Sequence, residues 1–126
     1  MKEGRGLVGP MGMSPTTAIA ALVLSNQLFN VGATTGFALS GRAETWGLFV
    51  LWQALGSAFG LGAQITFAGL VRFLSLRVAN AVGIGLAFVS AQMFGAFVFL
   101  REPFTPAQWF GTALVFAGIV VISLGR

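Results

Sequence analysis

The sequence predicts an all-α fold, an integral membrane bundle of four transmembrane helices, and three observations carry that expectation. Of the 126 residues, 56% are hydrophobic and 8% are charged. An ordinary soluble domain is about 25% charged, so there is too little polar surface here to coat a globule in water. The seven basic and three acidic residues cluster between apolar runs rather than within them. Those runs, at about 15–39, 47–70, 78–100 and 107–124, are each long enough to cross about 30 Å of hydrocarbon, which takes roughly 20 residues at 1.5 Å per residue.

Local chemistry marks the helix starts. Ser14-Pro15 offers a capping hydroxyl followed by a residue whose φ is pre-set for the first helical position. Trp46 stands at the entrance of the second helix and Trp109 at that of the fourth, where indoles favour the membrane–water interface. Ser75 can cap the third helix. Thr105-Pro106-Ala107-Gln108 reads as a capping box with proline inside it, satisfying amide donors that lipid cannot. The connections SGRAETW, VRFLSLR and REPFTP are short, so consecutive helices are expected to be antiparallel neighbours in one domain over residues 15–126. Residues 1–14 are expected to form a mobile polar segment. The first apolar run is too long for a signal-peptide core and is expected to be retained.

Charge and composition exclude whole classes of function. Neither cysteine nor histidine occurs, and Glu3, Glu44 and Glu102 all lie outside the apolar runs. Disulfides, thiolate or imidazole metal sites and a histidine base have no parts to be built from, so no catalytic residue, metal or cofactor is expected, and no enzyme. The basic residues are spread over loops, which reads as an orientation signal rather than a nucleic-acid surface. Lys2, Arg5, Arg72, Arg77 and Arg126 fall on one side and Arg42 and Arg101 on the other. That bias predicts both termini in the cytoplasm; the expected location is a bacterial inner (plasma) membrane, with the bilayer as the chief partner.

Small residues suggest how the helices meet, because lipid gives apolar helices no reason to associate and close backbone approach must supply it. Gly56 and Gly60 form a GxxxG in the second helix. Ala87, Ala91 and Gly95 are four apart in the third, and Gly111 and Gly118 are seven apart in the fourth. Such stripes fit a sibling helix or another protomer equally. The polar residues are equally two-sided. Asn26, Asn30 and Thr34 recur at four-residue spacing and share one face of the first helix, with Gln27 on its flank. With Gln64 and Asn80 they are candidates for a neutral substrate path, while interhelical hydrogen bonding is the plainer reading.

The last third carries a resemblance. Ala79-Asn80-Ala81 after a short loop, the E-P-x-T-P-x-Q-W turn at Glu102–Trp109 and the glycine run at Gly111–Val120 look like the C-terminal half-unit of the drug/metabolite transporter superfamily. The resemblance covers about residues 70–124 well and the first two helices loosely. With four helices the chain resembles the short members, EamA-like or small multidrug resistance-like, and the related lipid-linked sugar flippase subunits. It implies a dimer contact through Gly111, Leu114, Val115, Gly118 and Ile119. It also sets NVGATT (residues 30–35) against an E-V-x-G-T-T run, so that Asn30 stands where the exporters keep a proton-exchanging glutamate. Asparagine does not titrate. The third-helix aromatics of that family are replaced by Asn80 and Gly83.

The expected function is therefore a transporter half-unit that moves a small amphiphile or lipid-linked metabolite without carboxylate-based proton coupling. The alternative is a non-transporting accessory subunit of a larger membrane complex. Either implies a homo- or hetero-oligomer, and the uneven loop charge speaks against one chain inserting both ways.

Overall fold

The computed structural model describes residues 14–125 and is helical throughout, with no strand among those residues. The expected mobile segment, apart from Ser14, lies outside the described residues, as do Lys2, Arg5 and Arg126 of the charge bias. Four helices follow one another: α1 Pro15–Gly41, α2 Trp46–Val71, α3 Leu76–Phe99 and α4 Pro106–Gly125. Among the described residues, α2, α3 and α4 are long and apolar enough to cross a membrane. Helix α1 is not among them, so the expectation of four such helices is met in part. It has the length, at 27 residues, but Asn26, Gln27 and Asn30 dilute its apolar character.

Side-chain caps fix the starts. Ser14 Oγ accepts from Thr17 N at 3.2 Å, Thr45 Oγ1 from Leu48 N at 3.2 Å and Ser75 Oγ from Val78 N at 3.4 Å. The capping box before α4 is reciprocal: Gln108 N donates to Thr105 Oγ1 at 3.2 Å and Thr105 N to Gln108 Oε1 at 2.8 Å. Each such bond occupies an amide that would otherwise be left bare at the edge of the hydrocarbon.

Helix α1 is the hub. It packs along α2 on one flank and along α3 on the other, and α4 leans on α3. Phe29 sits over Gly62 and Phe59 over Gly32, while Gly36 meets the Gly56 backbone directly. Missing side chains thus create the holes that aromatic rings fill, the close van der Waals fit that membrane helices rely on. The short connection does not make α2 and α3 neighbours along their whole length. They meet next to their shared turn, where Phe67 lies against Gly83, and pack little beyond it.

Helix α3 is not a uniform α-helix. Ala81–Gly85 and Ala91–Phe99 are π-helical, separated by an α turn at Leu86–Ser90. Such widened turns are rare and cluster at functional sites. The end of α3 is closed by Arg101, which stands in the left-handed region at φ 56° and lets Glu102 N donate to Ala96 O at 2.8 Å. Phe97, Phe104 and Trp109 then stack around the corner with ring centroids 4.9–5.7 Å apart. An L side chain in that region costs about 1–2 kcal/mol, part of which glycine returns as unfolded-state entropy. Arg101→Gly is accordingly expected to raise stability by about 0.5–1 kcal/mol, read as a higher midpoint in thermal unfolding in detergent. Arg42 and Glu102 pair across the same end of the bundle. Both are half-exposed, so the contribution is at most about 1 kcal/mol.

Candidate functional site

The polar residues of α1 form a hydrogen-bonded cluster whose orientation is set by backbone carbonyls. Asn26, only 1% exposed, donates through Nδ2 to Ala63 O at 2.9 Å and to Thr66 Oγ1 at 3.0 Å. A carbonyl oxygen accepts only, so the atom facing Ala63 must be the nitrogen, and Oδ1 points the other way. There Oδ1 accepts from Gln27 Nε2 at 3.2 Å and Asn30 Nδ2 at 3.0 Å. Gln27 Nε2 also donates to Val82 O at 3.1 Å, and its Oε1 accepts from Ser90 Oγ at 2.9 Å. Asn30 Nδ2 donates in addition to Asn26 O at 2.8 Å. All three amides are thereby fixed, each by a main-chain oxygen.

The accounting leaves one group over. The three amides bear six N–H donors, and each has an acceptor. Thr66 spends its own hydrogen on Gly62 O or Ala63 O, both at 3.0 Å. Asn30 Oδ1 accepts no hydrogen bond among the described residues. Within the widened turn Ala81–Gly85, the Val82 carbonyl accepts from a side chain of α1.

Asn30 Oδ1 belongs to a residue lining a groove of about 420 Å³ between α2 and α3, floored by α1. That size lies within the range of small-ligand sites. Thr34 and Gln64 add exposed polar groups, and Phe37, Phe67 and Ile84 form apolar walls. The groove exists because α2 and α3 separate beyond Gly83, and Gly60 keeps its side open, with nothing near the place of a Cβ.

Of the sequence candidates, the structure brings Asn26, Asn30, Thr34 and Gln64 together along this groove. Asn80 is exposed and stands apart from it. Asn26 is buried and fully bonded, a framework residue rather than a free contact. Thr66, Gln27 and Ser90 complete the cluster. Thr66 is the partner that sequence reasoning missed; its spacing of four from Gly62, small residues on one helix face, is the signal that could have found it.

The small-residue candidates divide as well. Gly56 is buried against α1 and Gly60 is open. On α4, Val115 and Ile119 are half-buried, with Ile119 against Gly85 of α3, whereas Leu114 is 57% exposed. Gly111 and Gly118 have nothing near the place of a Cβ. Among the described residues one buried side-chain oxygen is unpaired: Thr35 Oγ1, which faces Gly95 in the second widened turn. No protein-family model, curated protein or solved structure matches this chain. The likeness to drug/metabolite transporters rests on the motifs quoted from its own sequence.

Proposed function

We propose that this chain is an integral membrane transport subunit of the drug/metabolite transporter type, with all four helices in the bilayer and both termini cytoplasmic. It takes the polar head of a small amphiphile or lipid-linked metabolite into the α1–α2–α3 groove and leaves the tail among the lipids. The observation that carries the reading is the groove itself, with a fixed amide oxygen on its floor and aromatic and aliphatic walls. Because every N–H of the three-amide cluster is already engaged, Asn30 acts as an acceptor, and hydroxyl or N–H donors on the ligand are its natural complement. Asn30 holds no exchangeable charge, so transport proceeds without a carboxylate proton relay at this position. A second reading, an accessory subunit without flux, draws on the same cluster's internal saturation and on the exposed face of α4 at Leu114 and Gly118, which fits a neighbouring subunit.

Reconstitution into proteoliposomes with fluorescent-tailed lipids bearing neutral polyol or amide headgroups tests this. Asn30→Leu removes the free acceptor but leaves Asn26 Oδ1 its bond from Gln27. Transbilayer movement is expected to fall at least about tenfold, the scale of one buried hydrogen bond of about 1.4 kcal/mol, with the melting temperature shifted little. Unchanged movement would sink the transport site. Absence of movement in wild-type vesicles, with stoichiometric co-purification of a larger complex from native membranes, would favour the accessory subunit.

A further inference from the structure

We infer that α1 enters the membrane as a hairpin with α2 rather than on its own, and that Asn26 is the residue that makes it dependent. The inference rests on the reading that α1 lies in the bilayer. Helix α1 is the hub of the bundle, yet it is the one of the four outside the set apolar enough to span.

The hydrogen bonds show where the dependence lies. Of the six amide N–H groups, three are satisfied inside α1 itself: both of Asn30, on Asn26 O and Oδ1, and one of Gln27, on Asn26 Oδ1. These form as soon as α1 is helical. The other three need another helix. Both N–H groups of Asn26 reach α2, at Ala63 O and Thr66 Oγ1, and the remaining one of Gln27 reaches Val82 of α3. An α1 alone in hydrocarbon would lack both α2 acceptors that hold the Asn26 amide in the bundle, a costly loss in a medium with no water.

Helix α2 begins five residues after α1 ends, at Trp46 after Gly41, so its partners follow closely during synthesis. Ser40 strengthens the same pairing, its Oγ lying 2.8 Å from Gln53 Oε1. The α1–α2 pair thus carries its own polar complement into lipid, and α3 then supplies the last acceptor.

Cotranslational force measurement on the growing full-length chain, with an arrest sequence placed at successive lengths, tests the order of entry. Wild-type chains are expected to give a weak pull as α1 reaches the bilayer and a strong one once α2 follows. In Asn26→Leu an early pull at the α1 length should rise at least about threefold, since leucine at a helix centre favours insertion. A wild-type α1 pull equal to those of α3 and α4, or no change in Asn26→Leu, would overturn the inference.

The completed chain gives a second readout, because it has no cysteine to interfere. Ser14→Cys and Ala43→Cys, made singly, should label from opposite sides of the membrane. Adding Thr66→Leu, which takes one acceptor from Asn26, should give Ala43→Cys mixed sidedness; uniform sidedness there would count against the inference. If the two positions label from the same side without Thr66→Leu, α1 does not span, and the four-span reading fails whatever the force profile shows.

Discussion

Asn26→Leu is expected to lower the stability of the folded bundle by about 2–4 kcal/mol, although it makes α1 more apolar. The loss comes from what stays behind. Gln27 Nε2 and Asn30 Nδ2 each lose the Asn26 Oδ1 acceptor, and the two bonds from Asn26 to α2 are lost. Equilibrium unfolding in mixed micelles measures the change. Asn80→Leu is the matched control, since Asn80 is exposed and bonds to no side chain of the cluster; it should cost less than about 0.5 kcal/mol. A double-mutant cycle with Thr66→Ala should show a coupling of about 0.5–2 kcal/mol. If Asn26→Leu were neutral, the cluster would not hold the helices together, and the framework role assigned to Asn26 would fall.

Gly36→Ala is the second large effect. A Cβ there would lie 2.9 Å from Gly56 Cα, 3.0 Å from Gly56 N and 3.3 Å from Trp52 O. All three are main-chain atoms, so no rotamer change relieves the clash and the two helices must move apart. Overpacking of this kind costs about 1–3 kcal/mol, against a gain in helix propensity of about 1 kcal/mol. Gly36→Val, with a larger obstruction and no comparable propensity gain, should be the more severe of the two. Gly118→Ala is the contrast. Nothing lies within 4 Å of its Cβ position, so the isolated chain should gain up to about 1 kcal/mol. If α4 pairs with a neighbour through that face, the same substitution weakens the oligomer instead, which size-exclusion chromatography with light scattering reads directly.

The all-helical class was legible because an apolar chain with few charges has little alternative, and the helix starts were legible because their caps are local. Ser14, Ser75 and the Thr105–Gln108 box act within three residues of themselves. What spacing could not reveal was long-range or non-periodic. Four-residue recurrence puts Asn26 and Asn30 on one face, but only the partners 37 and 40 residues away decide that Asn26 is consumed by α2. The widened turns of α3 leave no trace in hydrophobic periodicity, since apart from Gln92 their residues are all apolar or small. The groove was out of reach for a related reason: a short loop brings α2 and α3 together at one end and says nothing about their separation at the other. The GxxxG of α2 shows the same limit, as Gly56 and Gly60 turn out to serve a helix contact and an open groove respectively.

The neutrality of the amide cluster has an electrical consequence. Helices α1, α2 and α4 contain no acidic or basic residue, and the only one in α3 is Arg77 in its first turn. On the proposed four-span arrangement, a rearrangement of α1 against its neighbours would carry no side-chain charge through the field of the bilayer. Each elementary charge moved across 100 mV is worth about 2.3 kcal/mol, and here that quantity is close to zero. The membrane potential can neither drive nor stall such a movement. For an uncharged ligand, rates in vesicles clamped at opposite potentials by potassium gradients and valinomycin should coincide, and any asymmetry should scale with the charge of the ligand itself.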